Sequence, residues 1–160
     1  MNNGYCIIDA HCHIYPAKIA ARAAAGIGTF YRTKSACGGT AEELLRRADA
    51  CGIDRFIVES VATSAHQVRD INEFIAAEVA AAGGRFFGLG TLYPDSPDLL
   101  GDYRHLRELG LHGIKLHPDI QGFKIDDFRC LRIYEMCEAD GLPILMHTGD
   151  SRYDYSNPNR

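Results

Sequence analysis

At 160 residues, 46% of them hydrophobic, the chain is long enough to form one domain with a core of its own over residues 1–160. A net charge of −4 with 24% charged residues leaves no basic face for a polyanion such as nucleic acid. No apolar run is long enough to span a membrane, and no positively charged region leads into an apolar stretch at the N-terminus, so no export signal is expected. Six cysteines lie scattered through apolar or helical segments without a Cys-x-x-Cys, which predicts reduced thiols and a cytoplasmic setting.

In chain order, Tyr5 to Ile8 is an apolar run with β character and reads as a buried strand. Asp9, His11 and His13 stand at its end, and strand alternation puts the three on one face. Two imidazoles two residues apart at a strand end can share one metal ion, zinc or a related divalent metal. Pro16 closes this strand. Residues 17–39 read as a long irregular connection with a short helix over Ala17 to Ala25, broken by Gly26, Gly28, Gly38 and Gly39. A helix then starts at Thr40, where Thr40 and Glu43 make a capping box, and stops at Gly52. The second strand is Asp54 to Val61. A helix over Ser64 to Ala82 follows, with Val68, Ile71, Ile75 and Val79 on one face. Arg85 to Leu92 is a third strand whose glycines suggest close backbone approach or a tight bend. Pro97 suits the first turn of the next helix. Leu111 to His117 is a fourth strand ended by Pro118, Asp126 or Asp127 caps a helix ending near Gly141, and Leu142 to His147 is a fifth strand.

Strands alternating with helices mean repeated βαβ units and a parallel sheet. No Gly-x-Gly-x-x-Gly follows a strand, so a dinucleotide site is unsupported. Titratable residues instead collect at the C-terminal ends of the strands: His11 and His13, Glu59, Lys115 and His117, and His147. A (β/α)8 barrel puts its active site there. Asp9 either orients a ligand from behind or forms a structural hydrogen bond. Lys115 either binds a carboxylate or makes an internal ion pair, with Glu59 as the candidate partner. His66, His105 and His112 read as loop, helix and opposite-end residues outside the site.

Three segments carry a family resemblance: Ile8 to Pro16 with its Asp-Ala-His-Cys-His, Gly113 to Pro118, and Pro143 to Gly149. In this order and at these strand ends they resemble the amidohydrolase superfamily, in the branch that includes aminocarboxymuconate-semialdehyde decarboxylase and related metal-dependent enzymes. The resemblance implies an α/β fold, a TIM-type barrel with divalent metal at the strand ends. It implies His11, His13 and His147 as metal ligands. Imidazole donors suit zinc, and strand alternation points Lys115 and His117 the same way, as the candidate catalytic residues. In some branches a fourth-strand lysine is carboxylated and bridges two metals, a role open to Lys115. Such a barrel needs eight strands and about 250 residues. This chain supplies about five βα units, and the family's sixth-strand histidine and eighth-strand aspartate have no counterpart. The expectation is therefore an incomplete barrel from a longer enzyme, with Tyr155 to Pro158 leading toward a further helix. An open parallel sheet leaves an uncovered edge, so self-association, a homo-oligomer included, is expected.

The leading functional expectation is hydrolysis of a small carbonyl compound (an amide, lactone or cyclic imide) by metal-activated water. The alternatives are metal-dependent nonoxidative decarboxylation on the same scaffold, and a truncated chain without catalysis. The substrate is a small molecule. A nuclease using the same first-strand histidines is disfavoured by the missing basic face.

Overall fold

The computed structural model describes residues 4–148. Five strands, β1 (Ile8–His13), β2 (Arg55–Glu59), β3 (Phe86–Thr91), β4 (Ile114–Leu116) and β5 (Ile144–Met146), pair in chain order, all parallel. Between them run α1 (Ala17–Phe30) and α2 (Ala41–Cys51), α3 (Val68–Ala81), α4 (Leu99–Glu108), then α5 (Pro118–Gln121) and α6 (Phe128–Asp140). Sequential parallel strands with helices on the outside form a curled half-barrel, the TIM-type α/β architecture with five of its strands. The tail from residue 149, including Gly149 and the segment Tyr155 to Pro158, lies outside the described residues.

Local chemistry sets the helix boundaries. Thr40 Oγ1 accepts the Glu43 N–H at 3.2 Å, and Gly52 closes α2 at φ 71°. The expected capping box is half made, because the Glu43 carboxylate accepts the Gly38 N–H at 2.6 Å instead of reaching back to Thr40. Asp127, not Asp126, caps α6, and α4 is capped by Asp98 instead of being opened by Pro97. The helix expected from Ser64 begins with a 3-10 turn over Ala65–Gln67. The first strand is not the buried run Tyr5 to Ile8: Tyr5, Ile7 and Ile8 are exposed, and the strand itself is Ile8–His13. A second departure is α1, which runs on to Phe30 through Gly26 and Gly28. Gly28 is required by packing: a Cβ there would lie 2.7 Å from the Thr33 carbonyl, where the chain folds back on the helix. A sequence pattern that looks like a helix breaker is here a site of close approach.

Register separates the two faces of the sheet, since paired residues of neighbouring strands point the same way. Phe56 pairs with Phe86, Val58 with Gly88, and Gly90 with Ile114, and this face meets the helices. Glu59 pairs with Leu89, and Thr91 with Lys115, on the barrel interior. The core fills the space between sheet and helices, with Phe56, Val58, Ile75, Leu106, Ile114, Leu116 and Ile133 fully buried. In β1 the alternation is interrupted. Asp9 pairs with Phe56 and Cys12 with Val58, so three residues on β1 span what two span on β2. This bulge overturns the uninterrupted Asp9–His11–His13 face, and the Asp9 carboxylate accepts the His11 backbone N–H at 3.3 Å.

The β3 glycines fulfil the close-approach expectation. A Cβ on Gly88 would stand 2.7 Å from Ile75 Cγ2 and 2.8 Å from Val79 Cγ2, so α3 rests directly on the β3 backbone. Gly88→Ala is expected to destabilise the fold by about 1–3 kcal/mol through overpacking. In urea unfolding this reads as a lower midpoint at unchanged m-value.

Candidate metal centre

The ends of β1, β2 and β4 converge on one cluster. His13 pairs in register with Glu59, which brings the two side chains to the same face. His11 Nε2 and His13 Nε2 are 3.3 Å apart. Glu59 Oε1 lies 3.0 Å from His11 Nε2 and 3.8 Å from His13 Nε2. From β4, Lys115 Nζ reaches Glu59 Oε1 at 3.1 Å and His11 Nε2 at 3.2 Å. Both side chains of the Glu59–Lys115 pair are 0% exposed. The internal ion pair foreseen for Lys115 is thus present, and it sits within the histidine cluster.

Burial dominates the electrostatics. It pushes His13 down to about 4, with the Lys115 ammonium and His11 adding to the effect. His11 moves down for the same reasons, burial first and Lys115 next. Burial raises the Glu59 carboxyl, and Lys115 pulls it back. Neutral imidazole is the form that offers a lone pair to a metal.

The donor set fits a divalent ion. Nitrogens about 2.0–2.1 Å from one tetrahedral ion stand roughly 3.4 Å apart, close to the observed 3.3 Å between the two Nε2 atoms. The ligand atoms of His11, His13 and Glu59 all lie within 4.8 Å of one another. His13 Nδ1 and Glu59 Oε2 are buried and have no hydrogen-bond partner among the described residues.

His147 belongs to a second group. Its ring stacks on His117 with centroids 3.9 Å apart and planes 10° apart, and its ligand atom clusters with those of His117 and Asp119 within 4.8 Å. The sequence-derived set of His11, His13 and His147 therefore divides between two neighbouring clusters. Burial lowers His117 to about 3, with His147 and Lys115 contributing.

A single amide fixes the backbone that carries His117. Gln121, on the short α5, accepts the His117 N–H at 2.8 Å and donates to the Ala62 and Leu92 carbonyls at 3.0 and 2.8 Å. It ties together the loops after β2, β3 and β4. Ser60 Oγ donates to the Ile14 carbonyl at 2.6 Å and does the same for β1 and β2.

Both histidine groups open onto a cavity of about 890 Å³. Its body is mostly apolar, with Ile19 and Ile27 from α1 and Ile71 and Phe74 from α3, and Lys18, Asp70 and Glu73 of the same helices also line it. Tyr31, just past α1, lines it and was missed by sequence reading, which placed residue 31 in an irregular connection. The signal was there: an aromatic hydroxyl in the loop that follows the metal strand. The other histidines lie elsewhere. His66 is exposed beside Ser64, His105 Nε2 meets Glu73 at 3.0 Å, and His112 packs its ring edge-on to Phe87.

Known proteins share sequence and fold with the chain. The chain is 33% identical over 81 residues to a 2-amino-3-carboxymuconate-6-semialdehyde decarboxylase of Dictyostelium discoideum, covering 48% of this chain and 22% of that one. It superposes on the 5-carboxyvanillate decarboxylase of Sphingomonas paucimobilis with TM-score 0.67 and 20% identity, covering 97% of this chain and 57% of that one. The manganese-bound 5-carboxyvanillate decarboxylase of Novosphingobium aromaticivorans gives TM-score 0.70 and 21% identity, over 92% of this chain and 52% of that one. The chain thus spans less than a quarter of the curated relative and about half of each solved structure. A family model described as Amidohydrolase matches residues 8–159, nearly the full length, and the chain belongs to the amidohydrolase family.

Proposed function

We propose that the chain serves metal-dependent, nonoxidative decarboxylation of a small carboxylated compound. The observation that carries this reading is the commitment of Glu59. It is the carboxylate in contact with the histidine pair, and Lys115 holds it at 3.1 Å. Hydrolysis needs a base that takes a proton from water. Decarboxylation needs an anion site and a sink for the electron pair left on carbon. The carbon–carboxylate bond breaks, carbon dioxide leaves, and the carbon takes up one proton. Similarity to proteins named as decarboxylases supports the same reading.

His11 and His13 would hold the ion, and Glu59 or the expected third ligand His147 would complete the set. Imidazole-rich donors suit Zn2+, the ion we propose. When bound, the ion supplies a Lewis acid that draws charge from a substrate oxygen. Lys115 and His117 are assigned to the substrate's anionic group, and the apolar wall of α1 and α3 to its body. Hydrolysis is the second reading, favoured by the family's name and by the sequence expectation. A small-molecule substrate, no nucleic-acid or membrane partner, a cytoplasmic setting and self-association complete the proposal. It is supported by six free thiols and a net charge of −4. Among the described residues no helix is long and apolar enough to cross a membrane.

Three outcomes test this reading. Metal analysis after loading with Zn2+ or Mn2+ is expected to find about one ion per chain, with His11→Ala weakening affinity at least about tenfold, since even partners of ligands contribute that much. A wild-type chain that binds neither ion removes the metal centre. Loaded protein given carboxylated aromatic and muconate-type acids beside amides and lactones is expected to release carbon dioxide, and release should vanish in His11→Ala. Ring-opened or cleaved products without carbon dioxide would instead establish hydrolysis. Glu59→Gln is expected to cost about 3–5 kcal/mol in denaturant unfolding, because it strands a buried ammonium. A loss under about 1 kcal/mol would mean that the pair is open to water in the folded protein.

A further inference from the structure

Gln67 ends the 3-10 turn that leads from the loop after β2 into α3, and it lines the cavity together with Thr63. Chemistry fixes which way its carboxamide faces. The Thr63 backbone N–H donates to Gln67 Oε1 at 2.9 Å, and Thr63 Oγ1 donates to the same oxygen at 3.0 Å. A backbone N–H can only donate, so the amide atom that faces it is the carbonyl oxygen and not the NH2 group. An N–H and an O–H together occupy both lone pairs of that oxygen. The side chain is left with Nε2 and its two hydrogens to offer. Nε2 has no hydrogen-bond partner among the described residues. Nor is it sealed in the core, since among the described residues only His13 and Glu59 keep buried side-chain atoms without a partner.

The surroundings select what this donor can meet. Asp70 and Glu73 follow Gln67 at three-residue spacing and line the same cavity, and Lys18 of α1 lines it as well. Glu73 is already in contact with His105 Nε2 at 3.0 Å. Two carboxylates against one ammonium disfavour a second anionic group on this wall.

We propose that Gln67 is a specificity-determining residue of the cavity. Its NH2 group donates to an uncharged acceptor oxygen, a carbonyl or ether, carried on the apolar body of the substrate away from its acid group. This inference rests on the proposed function for the place of the acid group, at Lys115 and His117, and adds a second polar point to a wall that is mostly apolar. A pocket built around a fixed donor favours the ligand that pairs with it over an isostere that cannot, because the isostere leaves the donor without water and without a partner.

The test is a set of dissociation constants on the chain incubated with Zn2+, using benzoates substituted at the meta or para position. Acetyl and isopropyl groups have nearly the same shape, and only the acetyl group carries an acceptor. In the wild type an acetylbenzoate is expected to bind about three- to tenfold tighter than its isopropyl counterpart at one of the two positions, the scale of one neutral hydrogen bond. It should also bind tighter than isophthalate and terephthalate, which place a second carboxylate there. In Gln67→Glu the introduced carboxylate still accepts both Thr63 bonds but turns an acceptor toward the cavity. The acetyl preference should then vanish, and the matching aminomethylbenzoate should gain at least about threefold. A merely structural Gln67 would leave this ranking unmoved, and that result in a folded variant overturns the proposal. So does a wild type in which the isopropyl acid or the dicarboxylate binds as well as the acetyl acid. If Gln67→Glu fails to fold, Gln67→Met removes the amide at similar length and should abolish the acetyl preference. If neither variant folds, the wild-type ratios decide. Binding needs no turnover, so a Gln67-dependent preference in a chain that releases no carbon dioxide upholds this inference and overturns the decarboxylase reading. Carbon dioxide release without the preference does the reverse.

Discussion

The site depends on one buried ion pair. Glu59 and Lys115 come from β2 and β4, are separated by β3, and meet inside the sheet's curvature with no exposed surface. Taking two charges out of water costs several kcal/mol each, and only close contact with good partners repays it. The Lys115 ammonium obtains such partners from Glu59 and from His11, and Glu59 in turn touches both histidines of β1. Three strand ends are thus held by a single charged knot. A well-packed apolar pair would serve stability as well, so stability alone does not account for placing charge here. The ammonium occupies the same donors that a divalent ion would use. Loading the site must therefore redistribute charge among Lys115, Glu59 and the histidines.

Around that knot the loops are fixed by side-chain amides and hydroxyls on backbone groups. Gln121 spans the loops after β2, β3 and β4. Asn72 on α3 exchanges two bonds with the Thr91 backbone, donating at 3.0 Å and accepting at 2.7 Å. Thr91 Oγ1 accepts the Ala62 N–H at 3.2 Å. Each of these groups is buried, so leaving one unpaired would cost about 1–3 kcal/mol. The same penalty that makes them expensive to break keeps the C-terminal rim rigid. Histidines mounted on such a rim need no reordering to meet a ligand.

The strand order, the helix alternation and the histidine positions were legible because each rests on a local signal. Apolar runs of strand length, glycine stops and His-x-His need only neighbouring residues. Features that depend on a partner strand were hidden. The β1 bulge is a count of β1 against β2, and no reading of residues 8–13 alone contains it. The stacking of His147 on His117 depends on how β5 lies beside β4, which neither strand shows alone. α1 was shortened in the reading because glycines weigh against helix, and their compensation, close contact with residue 33, comes from the folded-back chain. Gln121 gave no signal, since an amide in a short polar turn looks solvated until the loops it joins are in place.

The two histidine groups divide the chemistry along the cavity. His11 and His13, beside a carboxylate, present lone pairs, and this is the arrangement that suits an ion. His117 and His147 are stacked and bound to a phenol, and this arrangement suits directed hydrogen bonds to a polar group of a substrate. Between α1 and α3 the wall is mostly apolar, with Lys18, Asp70 and Glu73 also on it. A molecule with a compact anionic head and an apolar body would satisfy all three zones at once. Its head would bridge the two clusters, and its body would displace water from Ile19, Ile27, Ile71 and Phe74. Under the proposed reading, the apolar wall would contribute binding energy remote from the reacting bond, and that energy would hold the scissile group against the histidines.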